Sequence, residues 1–328
     1  MINMGDDLKC MLCGGEQCLE VVKVGGLDGK EYWLNKCQNC KMHFIWPRPS
    51  DDYLNTFYSV KYAGQVKEGI IEWGNFLKNN RQVIEDSHVK LKYVERYGDI
   101  SRRGKLLDIG CGHGFFVYAA KMLGYKEMGV DIDKQALTFG QSHLGVNVSE
   151  KSLDSIAQMG QKGFDVITAW QVLEHLSNPG NVLSQVNELL KPGGIFAGAL
   201  PNINGIGFKL RGAKWHLMVP PEHLNFFNKR SLRKLLIQNG FSPVFIGTIP
   251  LYASPYFSFG IRVFIMRFAR KIPVWFIDDI AQWFYRVGTL IKRYAIYGLL
   301  NNLVMALNLG GDNIFFVACK KGGGNVRC

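Results

Sequence analysis

At 328 residues the chain is longer than one average domain and shorter than a large multidomain array. A composition 47% hydrophobic and 20% charged excludes a disordered or collagen-like protein and is enough for a normal core. The formal net charge of +12 favours anionic partners but does not choose among nucleic acid, phospholipid and sugar phosphate.

Met1 to Lys9 carry Asp6 and Asp7 and no apolar h-region, so a cytoplasmic location is expected. Residues 1–47 then hold Cys10-Met11-Leu12-Cys13 and Cys37-Gln38-Asn39-Cys40, separated by a hairpin-sized insert with a β-rich run, Leu19 to Val24. Four thiolates at this spacing can meet tetrahedrally around Zn²⁺ and leave no position open, which makes the site structural. A ribbon this small has no core of its own, so metal binding would drive its folding. Paired free thiols or a redox couple are the alternative, but redox pairs usually open a helix beside a βαβ unit. Pro47-Arg48-Pro49 is stiff and extended, and Ser50 can cap a helix. Residues 48–100 read as a helical bridge, with Phe76, Val83, Leu91, Val94 and Tyr97 near helical spacing.

Residues 101–249 alternate strands with helices. Strands are expected at 106–109, 128–131, 146–148, 165–170 and 195–200, and an extended run at 241–249. Helices are expected at 115–123, 134–143, 181–190 and 231–238. The pattern predicts an α/β fold, doubly wound, with a mostly parallel sheet and ligands beyond the carboxyl ends of its strands. Residues 250–311 are aromatic, apolar and basic, and Phe257, Ile261, Phe264, Ile265 and Phe268 form one helical stripe. Such a stripe suits a lid or homodimer contact, or a helix lying peripherally in a membrane interface. The nearest approach to a membrane span, the charge-free stretch 294–311, is broken by three asparagines and does not read as one. Residues 312–328 supply a last strand and a tail.

The sharpest motif is Leu107-Asp108-Ile109-Gly110-Cys111-Gly112-His113-Gly114-Phe115, a strand entering a glycine turn and then a helix. A dinucleotide fingerprint would place its third glycine where Phe115 stands, and a phosphate loop would need Gly-Lys-Ser/Thr. An acid just before the loop instead suits a ligand with a cationic amino-acid end. Asp131, about twenty residues on, is placed for ribose hydroxyls. Asp154 is placed for an adenine amino group, and Trp170 offers a ring face to a sulfonium.

These motifs, with Gly129-Val130-Asp131-Ile132-Asp133, Phe164 to Trp170 and Leu189 to Gly194, resemble the class I S-adenosylmethionine-dependent methyltransferase family in the expected order. The resemblance implies a seven-stranded sheet with S-adenosylmethionine as cofactor. It also implies that Asp108, Gly110, Cys111, Gly112 and Gly114 line the methionine part, Asp131 and Ile132 the ribose, and Leu153 or Asp154 the adenine. The ribbon is similar to that of some sugar C-methyltransferases, which are longer and carry a further domain.

Gln171-Val172-Leu173-Glu174-His175 follows strand four. A related lipid-quinone O-methyltransferase family has two glutamates and a histidine here as a metal-assisted site, and this chain has Gln171 at the first position. His175 reads as a base or acceptor-orienting group, or as a brace of the turn. His223, in Pro220-Pro221-Glu222-His223-Leu224-Asn225-Phe226-Phe227, reads as a base or acceptor ligand, or as a structural ring on Phe226. The expected function is methyl transfer to a small or lipid-linked acceptor, such as a glycan precursor, with O-methylation favoured on frequency. An RNA methyltransferase and a non-catalytic cofactor-binding scaffold are the alternatives.

Overall fold

The structure is a computed structural model that describes residues 8–65, 73–100, 103–248 and 311–322, with side chains given outside 59–82. The stripe at 257–268 therefore lies outside the described residues. The chain opens with β1 (Cys18–Gly25), β2 (Glu31–Cys37) and β3 (His43–Trp46), an antiparallel meander. Two helices follow, α1 (Asp51–Gln65) and α2 (Trp73–Tyr97). The alternating half then runs β4 (Lys105–Ile109), α3 (Phe115–Met122), β5 (Lys126–Val130), α4 (Lys134–Phe139), β6 (Val148–Ser149), α5 (Leu153–Gln158), β7 (Phe164–Trp170) and α6 (Pro179–Leu189). It finishes with β8 (Leu190–Pro201), α7 (Ile206–Arg211), β9 (Asn225–Phe226), α8 (Lys229–Gln238), β10 (Phe241–Gly247) and β11 (Asn313–Lys320).

Seven of these strands form one sheet in the order β10-β11-β8-β7-β4-β5-β6, parallel from β8 to β6. β11 inserts antiparallel between β8 and β10. Short apolar runs such as Leu106-Leu107 and Ile109 are buried on both faces, as a covered parallel sheet demands. One face packs Leu107, Ile167, Phe196 and Phe316 under α6 and α8. The other packs Leu106, Val166, Ala197 and Phe315 under Leu91 and Val94 of α2 and Phe116 of α3. Each such ring or branched chain contributes about 1.5–3 kcal/mol on burial.

Four helices start where side chains satisfy their first N–H groups. Asp133 caps α4, Ser152 caps α5 and Asn178 caps α6 with Pro179 behind it. Asn228 and Ser231 make a reciprocal capping box on α8. Several boundaries differ from the sequence reading, two of them for a visible reason. The third strand starts at Val148, because the helix after α4 continues as a π turn to Leu144 and ends on left-handed Gly145. The fifth strand starts at Leu190, which turns extended directly after α6 and pairs with Phe164.

The N-terminal meander is not closed on itself. β3 pairs antiparallel with β9, His43 against Phe226 and Phe44 against Asn225, so a strand from the far half completes its sheet. Cys10, Cys37, Cys40, Met42 and Phe44 share one buried cluster with the central sheet. No helix among the described residues is long and apolar enough to cross a membrane.

Candidate active site and metal centre

The glycine turn leaves the carboxyl end of β4. Gly110, Gly112 and Gly114 all have positive φ (67°, 50° and 80°), which side chains bearing a Cβ rarely adopt. A Cβ on Gly110 would come within 2.6 Å of Val172 Cγ2, whereas one on Gly112 would meet nothing within 4 Å. The first glycine is thus required by packing and the second faces open space. Cys111 lies buried beneath the turn, close to the Cα of Gly129, so residue 129 has no room for a side chain.

Asp131, just beyond β5, accepts from Gly112 N at 2.7 Å and from Asp133 N at 2.9 Å. Each oxygen still has acceptor capacity for a ligand hydroxyl. The neighbouring Ile132 is 63% exposed. Asp108 is fully buried and accepts from Thr168 Oγ1 at 2.6 Å. Burial pushes its pKa up to about 7, opposed by the Thr168 bond and the Lys90 ammonium. Trp170 is wedged between Phe116 and Phe315, with its Nε1 buried and unpartnered. Lys90 Nζ lies 4.9 Å from its ring centroid, so this face already carries a cation of the chain itself. Leu153 is buried at the start of α5, while Asp154 is exposed and accepts from Gln185 Nε2 at 2.6 Å, turned towards α6.

A cradle open above Gly112, a half-buried carboxylate on its rim and a buried acid beneath it fit a nucleoside with a cationic tail. The residues that would hold S-adenosylmethionine are therefore present, with Asp131 and the turn in the expected places.

The second cluster is built where β7 ends. Gln171 takes a left-handed backbone (φ 54°), and its side chain donates to Asn313 Oδ1 at 3.2 Å. His175 Nδ1 lies 2.9 Å from the Glu222 carbonyl and 3.2 Å from Tyr58 Oη, and His223 Nδ1 lies 2.7 Å from the Leu217 carbonyl. A carbonyl only accepts, so each Nδ1 carries a proton and donates it to that carbonyl. The two rings meet edge to face, centroids 4.7 Å apart, and His223 also lies edge-on to Phe226. Between them Glu174 is fully buried, its carboxyl oxygens meet no partner from another of the described residues, and burial pushes its pKa up to about 8.

Backbone bonds clamp the two segments together. Leu224 N and Asn225 N donate to Glu174 O, and Asn225 Nδ2 donates to the Leu173 and Leu176 carbonyls. Arg48, at the exit of the meander, reaches across to the Leu224 and Ser177 carbonyls and Asn225 Oδ1. With no carboxylate bonded to it, burial lowers its pKa to about 10.

At the N-terminus the four expected sulfurs converge. Cys10 Sγ lies 3.4 Å from Cys40 Sγ and Cys13 Sγ 3.6 Å from Cys37 Sγ, all four within 4.8 Å of one another. Sulfurs at about 2.3 Å from a tetrahedral zinc stand roughly 3.8 Å apart, so the cluster fits that ion. Sequence reasoning singled out the two histidines and the four cysteines but not the roles of Arg48, Lys90 and Tyr58, which come from distant segments. A basic residue inside Pro47-Arg48-Pro49 was the one local signal among them.

Comparison with known proteins places this geometry. Residues 80–244, half of the chain, match a family described as "Methyltransferase domain". A relative named ubiquinone biosynthesis O-methyltransferase from Nitrosococcus oceani is 28% identical over 148 residues, covering 43% of this chain and 62% of its own length. Its namesake from Paraburkholderia phymatum is 29% identical over 141 residues, covering 41% and 60%. The chain thus spans about six-tenths of the length of these relatives. A crystal structure of a SAM-dependent methyltransferase from Archaeoglobus fulgidus aligns at 18% identity and a TM-score of 0.44, covering 76% of this chain and all of that one. On the sequence match and the seven-stranded sheet, the chain belongs to the methyltransferase-domain family with the class I S-adenosylmethionine-dependent fold.

Proposed function

We propose that the protein transfers a methyl group from S-adenosylmethionine to a hydroxyl of a small or lipid-linked acceptor, a glycan precursor being one such molecule. The observation that carries this reading is the pair of edge-to-face imidazoles, His175 and His223, at the sheet end that also bears the glycine turn. Val172, on the same turn as His175, packs against Gly110, so the two sites adjoin. When bound, the cofactor supplies a methyl group on a positively charged sulfur, an already activated leaving group. The chain's own residues then have two tasks. Gly110, Cys111, Gly112 and Gly114 with Asp131 and Ile132, Asp108 and Leu153 line the donor's place and hold it in line for transfer. The imidazoles of His175 and His223 receive and orient the acceptor hydroxyl and lower the cost of its losing a proton.

The O-methyltransferase relatives, whose name includes a quinone, support a hydroxyl on a lipid-linked acceptor. In the same reading Cys10, Cys13, Cys37 and Cys40 hold a structural zinc. The test is incubation with isotopically labelled methyl donor and a panel of phenolic, glycan and lipid-linked acceptors. Labelled product is expected, and Asp131→Ala should weaken donor binding about 100-fold by calorimetry, roughly 2.7 kcal/mol. Unchanged donor affinity in that variant, or turnover unchanged in both His175→Ala and His223→Ala, would sink the reading.

A further inference from the structure

The turn between β1 and β2 reaches beyond its own sheet. Gly26 N donates to Lys30 O and Gly29 N to Gly26 O, bonds that close the hairpin through its backbone alone. The tip then meets the segment that carries His223, where Leu27 N donates to Pro220 O at 2.6 Å. A Cβ on Gly26 would stand 2.6 Å from Tyr32 Cε2 and 3.1 Å from Pro220 O, so a glycine is needed for this approach.

Asp28 holds the same tip to a third element. Its Oδ2 accepts from Tyr32 Oη at 2.7 Å and from Tyr53 Oη of α1 at 2.6 Å, and its Oδ1 accepts from Lys30 N at 3.1 Å. The Lys30 ammonium sits 3.8 Å from the centroid of the Tyr53 ring. Burial works to raise the pKa of Asp28, but the Tyr53 and Tyr32 hydroxyls outweigh it and hold the carboxyl below its ordinary value. Hydroxyl bonds to an ionised carboxylate are about twice as strong as neutral ones.

Further along α1, Tyr58 returns to the same loop. Its Oη lies 3.2 Å from His175 Nδ1 and donates to Glu222 O at 3.3 Å, and Glu222 O also accepts from His175 Nδ1 at 2.9 Å. A closed path of bonds therefore runs through Asp28, Tyr53, Tyr58, Glu222, Pro220 and Leu27. The hairpin folds without the bond from Tyr53, which joins it to α1 alone.

We propose that Asp28 is a positioning residue of the acceptor site: it clips the hairpin tip to α1 beside Pro220, and so fixes the Glu222 carbonyl that orients His175. This deepens the reading above and rests on it for the role of His175.

The experiment observes His175 directly. The full-length protein is labelled with ¹³C-histidine, and the His175 signal is identified by its loss in His175→Ala. Asp28→Asn and Tyr53→Phe keep both shapes and weaken or remove the charged bond. Each should displace the His175 signal by more than its linewidth, and the double variant no further than the larger single one, because both changes act on one bond. Tyr32→Phe cuts a bond inside the hairpin and should leave that signal in place, as should every variant for His143, beyond α4. On an acceptor that the wild type methylates, kcat should fall about tenfold in Tyr53→Phe while donor affinity stays within about twofold. A His175 signal unmoved in both Asp28→Asn and Tyr53→Phe would overturn the proposal. So would one that moves together with His143, since that reports a general loosening of the fold. A His175 signal that moves as expected in a protein that methylates nothing would sink the methyl-transfer reading and leave the clip standing.

Discussion

Two side-chain clusters in this molecule have opposite origins. Cys10, Cys13, Cys37 and Cys40 come from two four-residue knuckles joined by one meander, so each half of the cluster is set by local turns. Glu174, His175 and His223 are drawn from the end of β7 and from the segment after β8, and they meet only because backbone bonds join those segments. The first cluster can form as soon as its hairpin does. The second needs the sheet to be folded, and it inherits its precision from the surrounding core. The lesson is that a preorganised site can rest on a remote element: β9, two residues after His223, is also an edge of the meander that carries the cysteines.

The largest effect expected from breaking this contrast is at Cys37. It is wholly buried in the core cluster that the ribbon shares with the central sheet. Cys37→Ser should release the proposed zinc and, because structural zinc contributes its binding energy to folding, lower the melting temperature of the whole chain by more than about 10 °C. Calorimetry with metal analysis checks it. A variant that loses its metal yet melts within about 2 °C of wild type would show that the ribbon is energetically separate despite the shared core.

Arg48 sharpens the comparison, since it is the bridge. Among the described residues its guanidinium bonds neutral acceptors, the Leu224 and Ser177 carbonyls and Asn225 Oδ1. Removing it leaves the Ser177 carbonyl and Asn225 Oδ1 short of this donor, while the Leu224 carbonyl keeps its bond from Ile45 N, at about 1–3 kcal/mol for each acceptor left unsatisfied. Arg48→Ala should therefore lower turnover at least tenfold through misplacement of His223 while donor affinity stays within about twofold, because the glycine turn is not touched. Equal losses in donor affinity and turnover would mean that Arg48 supports the fold generally and does not position the histidines.

How much of this was legible depends on sequence distance. The knuckles and the Asp108 to Phe115 turn are local motifs, and the short apolar strands announce a covered sheet by composition alone. Asp131 sits where its spacing predicts. The joining of β3 to β9 was not legible, because a two-residue strand has no period to read. Lys90 over Trp170 and Arg48 on Leu224 were hidden for the same reason, each linking elements far apart in the chain. Asp154 shows the reverse failure. Its position fits an adenine contact, yet its carboxylate is engaged with Gln185, a helix-to-helix bond that no local pattern encodes.

The smallest effect expected is a pH dependence at Asp108, and its sign separates the donor cradle from the cysteine and histidine clusters. Its neighbours are Thr168, which donates to it, the Lys90 ammonium, and the Asp131 carboxylate, whose charge raises its pKa further. Burial puts the folded-state pKa at about 7, above the ordinary 3.8. Between those values the donor-free folded protein holds a proton that the unfolded chain has lost, so this residue's contribution to stability declines as pH rises from about 4 to 7. Donor binding should run the other way, because the ionised carboxylate is the form that attracts the ammonium of the methionine end. Raising the pH from 6 to 8 takes the ionised fraction from about one-tenth to about nine-tenths, so donor affinity should increase roughly tenfold. Asp108→Asn should flatten that profile and leave only its weak limb. A wild-type affinity that is level across this range, or one that falls, would place the ammonium group away from Asp108 and the cationic end of the donor elsewhere in the crevice.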